Sequence, residues 1–379
     1  MKFLFVAPRF HTNQFTLVQE LINKGNEVQF WVQYIGAIED HNVLEPSVMK
    51  ISLFSKLTCA FAKRKLSASE YESKRTRLFF PGFFSIISSI RQYNPDVVVL
   101  REYSKTTFVV YSCCRVLGIR NVIVYNQKPL DYCAFKSTIK RKIADIFFPK
   151  VRYTPVKEYC LLNGNSYSTD SNQHSYFVPF VINSYYGKKE YLINGKVNIL
   201  DVGKFREYKN HKILIEALSK IRDLKNVHLT IVGQASNEDE KKYLESLYKL
   251  IDTYNLNQFV SIETNVEFSN MKSLYLQNDI LVLPSIKEEA GISVLEAMSY
   301  GLYVISTDNN GTAFYVKEGG GTLFNHLSSN DLAFKLSEAI NKPELIRKAG
   351  NKSRTYISDN CSIDKYISAM QYMLQTEFN

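Results

Sequence analysis

The chain of 379 residues is 45% hydrophobic, 13% aromatic and 22% charged, a globular composition that excludes disordered, collagen-like and disulfide-scaffold proteins. At roughly 100–200 residues per domain, its length predicts two or three domains. No stretch approaches the roughly 18 apolar residues of a membrane-spanning helix, and the apolar run of Met1–Arg9 is too short for a signal peptide. The six cysteines and six histidines lack metal-site spacing, so we expect free thiols and no metal.

The net charge of +10 is concentrated in one block, because residues 51–150 carry 18 Lys and Arg against 6 Asp and Glu. Within that block the basic run 74–77 leads into the aromatic run 78–84, and 140–142 leads into 143–148. Cations beside bulky apolar side chains are typical of proteins that contact an anionic membrane surface. A solvated basic face is the alternative, and nucleic-acid binding is a third, although the chain has no helix-turn-helix or RNA-binding motif.

Strands alternate with helices along the first half of the chain. The expected elements are strands at 3–7, 27–32, 96–100 and 121–125 and a helix over 15–24 that ends at Gly25. Continuous β-branched runs such as Asp96–Leu100 are typical of strands buried on both faces of a parallel sheet.

The texture changes around residues 179–197, and the turn-forming residues there predict an exposed linker over 186–197. The alternation then restarts with strands at 198–202, 228–232, 279–283 and 303–306, helices at 211–222, 241–255 and 294–300, and a helical tail from 329. We therefore predict an α/β fold of two Rossmann-like, doubly wound parallel-sheet domains that face a cleft. Their bounds are 1–185 and 198–379, with the last helix packing back on the first domain. Ligands bind outside the carboxyl ends of such strands.

The sharpest motif is Pro284–Met298, which joins a strand to a helix. It places Glu288 in the loop, where a carboxylate accepts hydrogen bonds from sugar hydroxyls, and Glu296 on the first helical turn, where it suits a ribose. Gly291 lets the backbone approach a ligand, and the helix N-terminus favours an anion. In the structural alternative, Ser293 and Glu296 form a capping box, and Glu288 is a solvated loop residue.

A second motif, Gly203–Asn210, also follows a strand and precedes a helix that Asn210 could cap. Lys204 and Lys209 lie beside the positive end of the helix dipole, where cations are disfavoured and a bound anion is favoured. A diphosphate between the two lysines explains this placement, and two solvated loop lysines are the alternative. The P-loop pattern is absent.

The two motifs, in this order and about 80 residues apart, resemble those of retaining glycosyltransferases of family 4, which have the two-domain GT-B architecture and a Glu-x7-Glu pair. The resemblance implies that Lys204, Lys209 and Glu288 are the catalytic residues. The lysines would bind the donor diphosphate beside Gly203, Glu288 would hold the sugar near its 3-hydroxyl, and Glu296 would hold the ribose. The remaining donor contacts would come from Gly233, Gly291, Ile292 and Gly311.

The family's activity is transfer of a sugar from a nucleotide-diphosphate donor, here expected to be a UDP-sugar, with retention and without a metal or other cofactor. The resemblance and the basic block together suggest a glycan acceptor carried on lipid, in surface polysaccharide assembly. The N-terminal domain would bind this acceptor. The expected location is cytoplasmic, peripheral on the inner face of the plasma membrane, without a nucleic-acid partner.

The chain departs from the family at the sugar side of the site. Many relatives have a Gly-Gly turn after the first strand and a histidine after a later one, whereas this chain has Pro8–Gln14 and the pair Asn126 and Gln127. His11, Thr12, Asn13 and Gln127 are the candidate acceptor or sugar contacts. The missing histidine leaves open an inactive partner subunit that binds a nucleotide sugar. A different GT-B enzyme, such as an epimerase or phosphorylase, fits the spacing less well.

Overall fold

The structure, a computed structural model, describes residues 1–11, 14–36, 41–127, 146–160, 166–168, 174–286 and 288–378. Two sheets, one of seven strands and one of six, are built from parallel pairs throughout. The predicted pair of parallel-sheet α/β domains is therefore confirmed. The central strands are apolar at nearly every position because both of their faces are covered.

The N-terminal domain contains the seven-stranded sheet and a small antiparallel hairpin, β7 with β8. Its strands are β1 (Lys2–Ala7), β2 (Glu27–Val32), β3 (Ser47–Val48), β4 (Val97–Arg101), β5 (Val122–Tyr125), β6 (Arg152–Thr154), β7 (Glu158–Cys160), β8 (Ser166–Ser168) and β9 (Ser175–Phe177). The described helices are α1 (Phe15–Asn23), α2 (Leu53–Lys65), α3 (Ala68–Leu78), α4 (Phe83–Tyr93) and α5 (Lys105–Val116).

The C-terminal domain contains the six-stranded sheet. Its strands are β10 (Val197–Val202), β11 (Val227–Gly233), β12 (Val260–Thr264), β13 (Ile280–Leu283), β14 (Tyr303–Thr307) and β15 (Thr322–Phe324). Its helices are α6 (His211–Ser219), α7 (Glu238–Thr253), α8 (Met271–Gln277), α9 (Ile292–Ser299), α10 (Ala313–Glu318), α11 (Ser329–Asn341), α12 (Pro343–Asn360) and α13 (Ile363–Phe378). In the part of the chain that the structure describes, none of the helices has the length and apolarity needed to cross a membrane.

Both sheets have the Rossmann strand order. The order is β3-β2-β1-β4-β5-β6-β9 in the first sheet and β12-β11-β10-β13-β14-β15 in the second. Strand β1 lies between β2 and β4, and β10 lies between β11 and β13, so the winding reverses at these two strands. Such a switch point opens a crevice at the carboxyl ends of the strands, where ligands bind.

Helix α13 returns to the N-terminal domain. Its Tyr366, Met370 and Met373 are buried in the same apolar cluster as Phe3 and Phe5 of β1. At the far end of the helix, Glu377 accepts a hydrogen bond from the Tyr176 hydroxyl at 2.5 Å. The end of the chain thus fastens the C-terminal domain to the first sheet.

The segment expected to be an exposed linker is anchored at Lys189, which is only 8% exposed. Its Nζ donates hydrogen bonds to the carbonyls of Tyr275, Leu276 and Asn278 at 2.5–3.1 Å, at the end of α8. Burial lowers the pKa of Lys189 to about 8. The expectation of an exposed segment is wrong at this residue, because the amine satisfies carbonyls that a helix end leaves unpaired.

Candidate active site

The loops after β1, β4, β10 and β13 carry the polar side chains of the site, and these four strands form the two switch points. The loop after β1 contributes Arg9 and His11, the last residue of β4 is Arg101, and the loop after β10 contributes Lys204. The cations of the two domains act on each other, because Lys204 helps to lower the pKa of His11 and Arg9 helps to lower that of Lys204. The domains therefore face each other across a positively charged cleft.

Lys209 and Glu288 form an ion pair between the two C-terminal loops. Their side chains are 13% and 15% exposed, so solvent screens the pair only in part. The backbone fixes the same geometry, because the Ile286 N–H donates to the Tyr208 carbonyl at 2.7 Å and the Gly311 N–H donates to the Glu288 carbonyl at 2.8 Å. The two catalytic candidates are thus held in contact although 79 residues separate them.

Glycines bring the backbones of the site together. A Cβ at Gly311 would overlap the carbonyl oxygen of Glu289, and one at Gly233 would overlap the carbonyl oxygen of Gly203. At Gly291 a Cβ would lie 3.0 Å from the Leu283 side chain. Gly311 and Gly233 therefore need glycine for close packing rather than for an unusual backbone conformation, whereas a Cβ at Gly291 would require only a small shift of the Leu283 side chain.

Lys204 and Gly203 lie in the loop after β10, which is supported from below by a buried pair. The Nδ1 of His211 lies 2.6 Å from Oδ2 of Asp201, and both residues are almost completely buried. Burial, with Arg206 next in effect, lowers the pKa of Lys204. Asn210 lies at the start of α6 with a positive φ, and its side chain does not cap the helix, so that expectation is wrong.

Glu296 lies on α9, which begins at Ile292 with Gly291 as its N-cap. No capping box forms, because Ser293 is already inside the helix and Glu296 falls one turn further on. The carboxylate instead accepts a hydrogen bond from the Tyr275 hydroxyl at 2.7 Å. Burial raises the pKa of Glu296, while the tyrosine hydrogen bond opposes the rise.

The N-terminal side of the cleft is cationic. Arg9 Nε donates to His11 Nε2 at 3.3 Å, and burial together with the charges of Arg101 and Arg9 lowers the pKa of His11 to about 3. Gln127 accepts a hydrogen bond from Arg101 at 3.2 Å and donates to the Tyr125 hydroxyl at 2.8 Å. Two further candidates, Thr12 and Asn13, lie outside the described residues.

The sequence motifs did not reveal Arg9, Arg101, Tyr275 or the pair of Asp201 with His211. A charged residue directly after a buried strand was the available signal for Arg101, whereas the others depend on contacts between distant segments. Among the residues that the structure describes, no group of three or more His, Cys, Asp or Glu side chains could hold a metal ion. The arrangement suits an anion between lysines, with carboxylates beside it for hydroxyl groups.

Comparison with known proteins shows which proteins this chain resembles. Residues 186–356 match the family model described as glycosyl transferases group 1. The human GDP-Man:Man(3)GlcNAc(2)-PP-Dol alpha-1,2-mannosyltransferase is 25% identical over 190 residues, which cover 47% of this chain and 39% of that protein. The chain spans about two fifths of the length of this mannosyltransferase and its worm and mouse counterparts.

Solved structures match over the full length. A glycosyltransferase from Rickettsia africae has a TM-score of 0.72 at 16% identity, covering 100% of this chain and 99% of its own. Anabaena HepE in complex with UDP has a TM-score of 0.68 at 14% identity, covering 99% of each chain. The fold of this chain is therefore GT-B, the two-domain architecture of these glycosyltransferases.

Proposed function

We propose that the chain is a retaining, metal-independent glycosyltransferase of family 4. It would transfer a hexose or related sugar from a nucleotide-diphosphate donor to a glycan acceptor. The observation that carries the proposal is the contact between Lys209 and Glu288 at the switch point of the second sheet, with Lys204 close enough to Lys209 for their charges to interact. Matching of residues 186–356 to glycosyl transferases group 1 supports it independently.

The donor diphosphate would lie against Lys204 and Lys209 and the N-terminal end of α9. Lysines there neutralise the negative charge that grows on the departing nucleotide, as fixed positive groups do in other transferases. Glu288, released in part from its lysine, would accept hydrogen bonds from the sugar near its 3-hydroxyl. Glu296 would hold the ribose hydroxyls, with Tyr275 fixing the orientation of its carboxylate.

Retention follows if a leaving phosphate oxygen deprotonates the acceptor on the face from which it departs. The bond from the anomeric carbon to the phosphate oxygen breaks, the bond to the acceptor oxygen forms, and the acceptor proton passes to the diphosphate. His11 does not compete for this role, because a group with a pKa of about 3 is a weak base at neutral pH. His11 and Gln127 would contact the sugar or acceptor instead.

The acceptor would be lipid-linked and reached at an anionic membrane surface. Helix α2 presents Leu53, Phe54, Leu57 and Phe61 at 61–78% exposure and ends in Lys63–Lys65. Bulky apolar side chains beside cations fit the boundary between headgroups and acyl chains. The name of the human relative also describes a lipid-linked glycan acceptor. The proposed location is peripheral, on the cytoplasmic face of the plasma membrane, in surface polysaccharide synthesis.

The first test is a thermal-shift screen of UDP, GDP, ADP and CMP and their sugars, with Lys209→Ala beside the wild type. Lys212→Ala is the matched control, because Lys212 is a partly exposed lysine that pairs with Glu207. We expect UDP and one UDP-sugar to raise the melting temperature of the wild type and of Lys212→Ala only. Absence of any nucleotide effect would refute the transferase, and binding without hydrolysis or transfer would indicate an inactive partner subunit.

The membrane part has its own test. The wild type should sediment together with vesicles that contain phosphatidylglycerol at low and moderate salt, and Phe54→Ser should lower the fraction of protein that sediments. Phe334→Ser is the control, because Phe334 is 64% exposed on the other domain. If both variants sediment with the vesicles to the same extent, or if the wild type does not sediment with them, membrane contact through α2 is refuted.

A further inference from the structure

A cavity of about 840 Å³ lies in the N-terminal domain beside the edge strand β3. Its walls come from the end of β2, residues 48–51, the helices α2 and α3, and the start of α4. Small-molecule pockets typically measure roughly 300–1,000 Å³, so this space suits an organic ligand rather than a few waters. None of the residues assigned to the donor site lines it.

The lining of the cavity has two parts. The apolar part is formed by Val48, Met49, Ile51, Ala60 and Phe79. The cationic part is formed by Lys50, Lys56, Lys63 and Arg75, and no acidic residue belongs to the described lining. Four cations around an apolar space match a ligand with an anionic head and a hydrocarbon chain.

A buried amide adds a polar contact in the wall. Gln33, which lines the cavity, is only 6% exposed, and its Oε1 has no hydrogen-bond partner, while Nε2 donates to the Thr106 hydroxyl at 2.9 Å. This hydrogen bond ties the wall to α5, and the contacts to an anionic head group come from the four cations.

The cavity is connected to its surroundings on two sides. A neighbouring space of about 380 Å³ shares Val48, Met49, Lys50 and Ser85 with it, which extends the groove along the sheet edge. On the other side, the Gln33 N–H donates to the Pro8 carbonyl at 3.0 Å. The wall thus adjoins the loop that carries Arg9 and His11 into the cleft.

We propose that this cavity binds the phosphate head and the first chain segment of the lipid that carries the acceptor. This inference rests on the proposed transferase function and names a lipid-phosphate site for it. The four cations hold the phosphate, the apolar wall holds the chain, and the attached glycan extends past the loop after β1 toward the cleft. Exposed α2 brings the mouth of the cavity to the membrane.

The test uses Cys59, a partly exposed free thiol that lines the cavity. The full chain is labelled with N-ethylmaleimide, and the Cys59 peptide is quantified by mass spectrometry. Decyl phosphate is the probe, used below its micelle concentration, with circular dichroism to verify the fold. Two compounds serve as controls. Inorganic phosphate supplies the anionic head without the chain, and decyltrimethylammonium supplies the same chain with a cationic head.

We expect decyl phosphate to slow Cys59 labelling at least fivefold and both controls to leave it unchanged. Lys56→Ala and Lys63→Ala, both at exposed positions, should each weaken protection about 3- to 10-fold. Lys65→Ala is the matched control on the same helix, outside the lining. Equal protection by decyltrimethylammonium would show that the anionic head is not needed, and equal protection by inorganic phosphate would show that the chain is not needed. Either result would overturn the proposal.

Two further outcomes separate this site from the donor site. If decyl phosphate protects Cys59 but no nucleotide raises the melting temperature, the lipid-phosphate site is supported and the proposed transferase function is refuted. If a nucleotide raises the melting temperature but decyl phosphate does not protect Cys59, the transferase function is kept and the lipid-phosphate site is overturned. Binding to anionic vesicles that leaves Cys59 labelling unchanged would likewise overturn it, since contact would then be confined to the outer surface of α2.

Discussion

Replacing Lys209 by Ala should weaken binding of the nucleoside diphosphate more than any other single lysine change in the chain. A hydrogen bond to a charged group contributes about 1.5–3 kcal/mol, which is roughly 10- to 150-fold in the dissociation constant. Lys209 is 13% exposed, so little solvent screening reduces this value. Its loss also leaves Glu288 beside the diphosphate without a counter-charge, which favours the upper part of the range.

The role of Glu288 can be separated by a double-mutant cycle. Glu288→Gln removes the carboxylate while Lys209 remains, so we expect the diphosphate alone to bind as tightly as in the wild type or a few-fold more tightly. The sugar-bearing donor should bind more weakly, because its hydroxyls lose a charged acceptor. In the double variant, removal of the unpaired carboxylate should recover part of the affinity that Lys209→Ala loses.

Isothermal titration calorimetry of the four proteins measures these effects, with the nucleoside diphosphate that gives the largest thermal shift. Lys212→Ala should bind like the wild type, since Lys212 is partly exposed and pairs with the exposed Glu207 instead of with Glu288. If Lys209→Ala keeps an affinity within threefold of the wild type, the diphosphate does not bind where the lysine is. If the double variant binds no better than Lys209→Ala, the two side chains do not share one ligand.

Three further predictions concern pH, packing and orientation. Because the pKa of His11 is about 3 in the fold and ordinarily 6.5, its contribution to stability is lost as pH falls through that window. Urea unfolding should show the wild type losing up to about 3 kcal/mol more than His11→Gln between pH 7 and 4, and parallel curves would contradict this. Gly311→Ala should lower the free energy of unfolding by about 1–3 kcal/mol and weaken donor binding, and an unchanged melting temperature would show that the loop yields. Tyr275→Phe should weaken binding of the intact nucleotide about tenfold. The effect should grow at low pH, because loss of the tyrosine hydrogen bond raises the pKa of Glu296 further. If binding of pyrophosphate, which has no ribose, weakens equally, Glu296 does not hold the ribose.

The strands of both sheets could be predicted because their cause is local. Runs such as Val97–Leu100 are apolar at consecutive positions, and only a strand covered on both faces buries them all. The helix ends were predicted less well, and α6 stops at Ser219 rather than at 222. Capping at these ends depends on contacts with other segments, which the local sequence does not record.

The candidate site could be predicted as two motifs but not as one geometry. That Lys209 meets Glu288 follows from the neighbouring positions of β10 and β13 in the sheet, which is a property of the topology. Ser293 and Glu296 show the opposite case, where a locally good capping box does not form. Gly291 lies at the N-cap, and the Tyr275 hydroxyl takes up the carboxylate, so a tertiary contact replaces the local one.

The two switch points have the same strand order and carry different charges. The loops of the second sheet pair Lys209 with Glu288, whereas the first sheet brings Arg9 from the loop after β1 and Arg101 from the end of β4 close to His11. Burial lowers the pKa of His11 and of Lys204, and cations from both domains lower both values further, so an anion bound between the two domains would offset this repulsion. A ligand shifts an equilibrium only by its difference in affinity for the two states. An anionic donor that contacts both domains binds more tightly when the two walls of the cleft are close together, whereas an uncharged sugar gains much less. We therefore expect the diphosphate part of the donor to be what draws the two domains together.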